Sequence, residues 1–205
     1  MKNLVKLSFV ASLLVASSLN AHKGAFVGFE GGYNNFSLSL ETKGSSSEKF
    51  DASKSNFGLG IKGGYSFGEF RVYGAYEYIS KIKHNKEKNQ MDATIHEIYL
   101  GADWTPEIAT DLRAVIGAYT GSSIIHGGVK INKDSQRGTI DYTVAGWLIG
   151  AKLGLEYIVA DHHGIEVGMK YNYTEFSNFN DDQKFTIDDI TNKNLKAYLG
   201  YSYYF

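Results

Sequence analysis

The chain has no cysteine, a single proline (Pro106), and no apolar run after its first 21 residues that could cross a membrane as a helix. Without thiols there can be no disulfides, no thiolate nucleophile, no lipid-anchored cysteine and no cysteine-built zinc site. A membrane helix needs roughly 18 or more consecutive apolar residues, so any membrane crossing must be made by strands. Charge of one sign is also lacking, with 21 Lys and Arg against 22 Asp and Glu. That balance argues against nucleic acid as a partner.

What the chain does have is glycine and aromatics: 23 Gly, 15 Tyr and 12 Phe in 205 residues. This composition suits sheet far better than helix. The N-terminus reads as a secretory signal peptide over residues 1–21. Lys2 and Lys6 form its basic region, Leu7 to Leu14 its apolar core, and Ala21 its small cleavage residue. The remaining domain, 22–205, has 184 residues and a formal charge of −3, because the leader removes two lysines and no acid.

Period-2 alternation marks eight segments, at about 24–38, 55–67, 70–82, 93–104, 111–121, 141–158, 164–177 and 194–205. Each is long enough for a tilted strand to cross a bilayer, which takes roughly 9–11 residues. The links after the second, fourth and sixth segments are short, such as Gly68-Glu69. The others are longer and polar, and the Ser/Lys-rich stretch at 43–55 reads as a solvated tip. The fold expected is an all-β, eight-stranded antiparallel transmembrane up-and-down barrel, with short turns at one end and long loops at the other.

Sorting each segment by parity separates two faces. One is apolar, running through Val27, Phe29, Leu59, Ile61, Leu100, Leu153 and Val167, with Tyr and Trp toward the segment ends. The other carries Glu30, Lys62, Arg71, Glu77, Glu97, Asp103, Arg113, Lys152, Glu156, Glu166, Lys170 and Lys196, six acids and six bases, interspersed with glycines. Lipid suits the first face, and a matched set of charges suits a narrow lumen where each can find a partner. Parity breaks between Tyr33 and Phe36 and between Val144 and Trp147, predicting bulges near Asn34-Asn35 and Ala145-Gly146 or exit from the membrane there.

The last segment ends Tyr201-Ser-Tyr203-Tyr-Phe205, aromatic to its final residue. This ending resembles the C-terminal strand of Gram-negative outer-membrane barrels. The whole pattern resembles the small OmpA transmembrane-domain and OmpX type (outer membrane protein beta-barrel, porin-like). The resemblance implies that Tyr201, Tyr203 and Phe205 form a signal read by the barrel-assembly machinery, and that the site is the outer membrane of the cell envelope.

Other motifs carry less. Gly58-Leu-Gly60-Ile-Lys-Gly63 matches a dinucleotide fingerprint in letters only, because it continues as strand where a helix would have to begin. Asp161-His162-His163 reads as a polar turn. His84, His96 and His126, with Ser122, Ser123 and Glu97, contain the residue types of a hydrolytic site but no local signature of one. The reading is therefore of a non-enzyme: no catalytic residue, no cofactor and no metal. Its expected role is envelope structure or surface interaction through four extracellular loops around a charge-filled lumen. A narrow porin-like channel is the alternative, and a lipid A-modifying barrel enzyme the third reading. The expected partners are outer-membrane lipid, the barrel-assembly machinery and an extracellular ligand held by the loops.

Overall fold

Alternation this regular leaves the chain two surfaces to hide, one from water and one from lipid, and a closed barrel separates them. The computed structural model describes residues 23–41, 49–86, 89–133, 136–176 and 190–205. The signal-peptide segment and residues 42–48 of the Ser/Lys-rich tip lie outside them. Eight long strands are present: β1 Lys23–Glu41, β2 Lys49–Phe67, β3 Phe70–Lys86, β4 Asn89–Trp104, β5 Leu112–Lys133, β6 Gln136–Val159, β7 His163–Phe176 and β8 Ile190–Tyr204. Each pairs antiparallel with its sequence neighbour, and β1 pairs β8, so the ring closes with no free edge through its wall. The short links after β2, β4 and β6 lie at the end where Phe205 N–H donates to Ala25 O at 2.9 Å. We call it the turn end.

The turns use backbone conformations that suit tight reversal. Gly68 has φ 101°, and Ala160 and Asp161 are consecutive at 49° and 62°. The link after β4 is more elaborate than a plain turn. Glu107–Ala109 pairs with the start of β5, and Thr105 ties back by donating its N–H to Glu69 O at 2.6 Å.

Several strands outrun their sequence-based limits. β5 and β6 stay paired up to Lys133↔Gln136, where a long loop was expected after residue 121, and β2 already begins at Lys49 inside the expected tip. Alternation of apolar residues marks only the lipid-crossing part of a strand, whereas ladder pairing needs no such pattern. Beyond Ser122↔Trp147 the β5–β6 ribbon continues for about 35 Å at the usual rise per residue. By contrast, β2 and β3 part above Gly58↔Ile79, although each continues as strand with its other neighbour.

The predicted bulges are absent. Register runs unbroken through Asn34-Asn35 against both β2 and β8, and through Ala145-Gly146 against β5. Val144 and Trp147 take opposite sides because the lumen near the loop end accepts apolar groups, with Ile79 and Ile95 buried there and Ile125 packed against them. Among the described residues, the one register shift in the long ladders lies elsewhere, between Ile79 and Ile82 in the β3–β4 pair.

The two faces separate as the alternation demands. Val27, Phe29, Leu59, Ile61, Leu153 and Val167 all face outward, and Leu100 is the most exposed at 72%. Inside, tyrosines seat against glycines on neighbouring strands: Tyr73 beside Gly64 and Gly101, Tyr119 beside Gly101 and Gly150. A Cβ at Gly101 would fall against the Tyr73 ring, and one at Gly150 against the Tyr119 ring. These glycines give the rings the space that an eight-stranded interior otherwise lacks.

Candidate functional site

All twelve charges assigned to the inner face are buried. Their register explains how they meet. Lys152, Lys170 and Lys196 stand directly beside one another on β6, β7 and β8, Glu156 stands beside Glu166, and Glu77 beside Glu97. Like charges directly opposite on a sheet repel. Relief has to come from opposite charges on other strands, and for the three lysines and for Glu77, Glu156 and Glu166 the ion pairs supply it.

Arg71 on β3 is the hub of the turn-end half. Its Nε donates to Asp103 at 2.7 Å, and its two terminal nitrogens donate to Glu156 at 3.1 Å and Glu166 at 2.6 Å. Lys152 joins Asp103 at 2.6 Å, and Lys62 joins Glu166 at 3.0 Å. Tyr204 donates at 2.8 Å to the Glu156 oxygen that Arg71 also meets, and Tyr198 donates to Glu166 at 2.6 Å, while the other Glu156 oxygen is buried without a hydrogen-bond partner. The Phe26 ring closes over the guanidinium, 5.8 Å from its centre. Charge-assisted, multiply hydrogen-bonded geometry of this kind is what a buried ion network requires.

The next layer joins β1, β3, β7 and β8. Lys170 and Lys196 both donate to Glu30, at 2.5 and 2.6 Å, and Lys196 also reaches Glu77 at 2.7 Å. Lys170 additionally donates to Tyr99 at 3.0 Å and lies 5.1 Å from the Tyr198 ring centre. Toward the loop end the chemistry turns from ions to amides and hydroxyls. Asn194 donates to Asn34 at 3.0 Å, Asn172 to Glu97 at 3.1 Å, and Tyr119 to Asn172.

Two charges stay out of the network. Among the described residues, neither Arg113 at the turn end nor Glu97 toward the loop end has an ion-pair partner. The tyrosines Tyr73, Tyr99, Tyr119 and Tyr198 are buried members of the lumen that charge counting passed over. The signal was present for all four, since Tyr73 shares its parity with Arg71, Tyr99 with Glu97, Tyr119 with Arg113 and Tyr198 with Lys196.

The histidines divide between two places. His96 and His126 lie on the outer wall, rings 5.4 Å apart, with His96 bonded to Tyr76 at 2.7 Å and His126 to Thr143 at 2.9 Å. Ser122 shares that outer wall, whereas Glu97 and Ser123 are buried inside, so the barrel wall separates the components of a hydrolytic site. The side chain of His84 lies outside the described residues. His162 and His163, in and after the β6–β7 turn, hold the C-terminal strand instead. His162 Nδ1 lies 2.9 Å from Tyr204 O, His163 Nδ1 lies 2.6 Å from Tyr201 Oη, and both rings pack on Tyr203. Phe205 completes the cluster, 5.1 Å edge-on to Tyr203. Among the described residues no group of three or more His, Cys, Asp or Glu is placed to hold a metal ion.

The model of the outer membrane protein beta-barrel domain family matches residues 8–205. The chain belongs to that family. Its location is accordingly the outer membrane. Among solved structures, Neisserial surface protein A is 17% identical, with 89% of this chain and 99% of that chain covered and a TM-score of 0.59. Ail, the attachment invasion locus protein of Yersinia pestis, solved in complex with the heparin analogue sucrose octasulfate, is 15% identical, covering 88% and 99% at a TM-score of 0.54. At these identities the likeness is one of fold. A search of curated proteins finds no match.

Proposed function

We propose that this family member is a plugged, non-enzymatic barrel that works through its outer surface and loop-end ribbons rather than as a pore. The observation that carries this reading is the Arg71 hub, which ties β3 to its neighbour β4 and, straight across the lumen, to β6 and β7. Lys170 and Lys196 repeat the crossing one layer higher, joining β7 and β8 to β1 and β3. A solute would have to break several charge-assisted bonds to pass. Above the membrane the β5–β6 ribbon and its neighbours offer a surface for an external partner, a role in keeping with the name of the attachment invasion protein. Purified protein in planar bilayers is expected to give no stable conductance steps. Steady unitary conductance in the wild-type barrel would overturn the plugged reading in favour of a narrow channel.

Export through cleavage of residues 1–21 and recognition of the terminal strand by the assembly machinery belong to the same proposal. The Phe205 backbone closes the seam with Ala25, but its ring is 40% exposed, so packing alone gives it little weight. Replacing Phe205 with serine is expected to lower outer-membrane yield severalfold at low expression while leaving the stability of refolded protein nearly unchanged. Equal yields from wild type and variant would remove the recognition role.

A further inference from the structure

We propose that the loop-side half of the lumen binds a small hard metal cation through Glu97, Glu77 and Ser123. These three stand side by side on β4, β3 and β5, with Glu77↔Glu97 and Glu97↔Ser123 in direct register. The local charge does not balance. Glu30, Glu77 and Glu97 share two lysines, Lys170 and Lys196, and both of those are committed to Glu30. Lys196 also neutralises one oxygen of Glu77, whose other oxygen lies 4.0 Å from Lys170. Glu97 receives only the Asn172 amide, at 3.1 Å, and no Lys or Arg among the described residues reaches it.

A carboxylate taken out of water without a counter-charge is costly, and a like charge on the next strand raises that cost. The neighbouring neutral groups point to what would relieve it. Ser123 Oγ is fully buried and has no hydrogen-bond partner, and Asn194 Oδ1, on the strand beside Asn172, is buried and unpartnered as well. Unused oxygen acceptors around an unneutralised carboxylate form the donor set that Na⁺ or Ca²⁺ takes, with no nitrogen or sulfur ligand required. One positive charge balances the layer. A cation here would also cross-link β3, β4 and β5 in the half of the barrel where the protein's own ion pairs run out.

The test uses the folded barrel in detergent micelles at constant ionic strength, with choline replaced stepwise by Na⁺ or Ca²⁺. The wild-type unfolding midpoint is expected to rise saturably with at least one of them. Glu97→Gln is expected to lose that rise and, in choline, to unfold at or above the wild-type midpoint, since the uncompensated charge is gone. Tb³⁺ luminescence excited through tyrosine is expected to fall at least fivefold in Glu97→Gln. Should that variant not fold, Ser123→Ala, which removes one ligand oxygen, is expected to weaken half-saturation severalfold. A wild-type midpoint indifferent to both metals, or stabilised only by protons, would overturn the proposal. So would a full metal response retained in Glu97→Gln, or an unchanged half-saturation in Ser123→Ala. Bilayer conductance is a separate readout, so failure here leaves the plugged-barrel reading standing.

Discussion

Replacing Arg71 with alanine is expected to destabilise the barrel by about 3–5 kcal/mol, the usual cost of removing one partner from a buried ion pair. The loss leaves Asp103, Glu156 and Glu166 short of a guanidinium that contacts all three. Lys152 and Lys62 can compensate only in part, because each already holds Asp103 or Glu166. Arg113→Ala is the matched control: it removes the same side chain from the same inner face, but one with no ion-pair partner among the described residues. Urea unfolding in micelles measures both. If Arg71→Ala costs no more than Arg113→Ala, the network fills the lumen without holding it together. Combining Arg71→Ala with Glu166→Gln is expected to cost less than the sum of the two, since the second change removes an acid that the first left exposed to its own charge.

The other large effect concerns the opposite face. Leu100→Arg is expected to cost about 2–4 kcal/mol, as for a charge near the bilayer midplane. Leu100 lies four residues along β4 from Trp104 at the turn end, which for a tilted strand is roughly 10 Å into a band about 25 Å tall. Ile108→Arg places the same charge on a comparably exposed apolar residue in the turn-end segment Glu107–Ala109, and there the cost is expected to fall to about 0–1 kcal/mol. Folding free energies measured in lipid vesicles, not detergent, separate the two. Equal penalties would mean that the apolar face is not graded by membrane depth, contrary to the barrel's assigned orientation.

The faces were legible from residue letters because side-chain direction has a period of two, and that rule needs no knowledge of neighbouring strands. The twelve charges assigned to the inner face follow that rule, and all of them are buried. Which charge meets which was not legible. Height along the barrel depends on register, and register depends on turns and loops whose geometry alternation does not encode. Nothing in the chain around Lys152, Lys170 and Lys196 says that they stand level. The inner tyrosines divide the same way. Parity puts Tyr73 with Arg71 and Tyr119 with Arg113 on the inner face, but the pairing that seats their rings against Gly101 and Gly150 is again a matter of register. The expected bulges failed because an apolar residue was assumed to need lipid, whereas Val144 is half-buried on the lumen side.

The level row of Lys152, Lys170 and Lys196 also bears on how the barrel forms. In an unclosed sheet β6, β7 and β8 can already be paired while the acids on β1, β3 and β4 remain distant, so the three ammonium groups repel one another with only Glu166 on β7, beside Lys152, to offset them. A partly curled sheet therefore lacks much of the compensation that the finished ring supplies. The same charges that hold the native lumen together thus favour closure, and much of their gain arrives only when the seam between β1 and β8 zips shut.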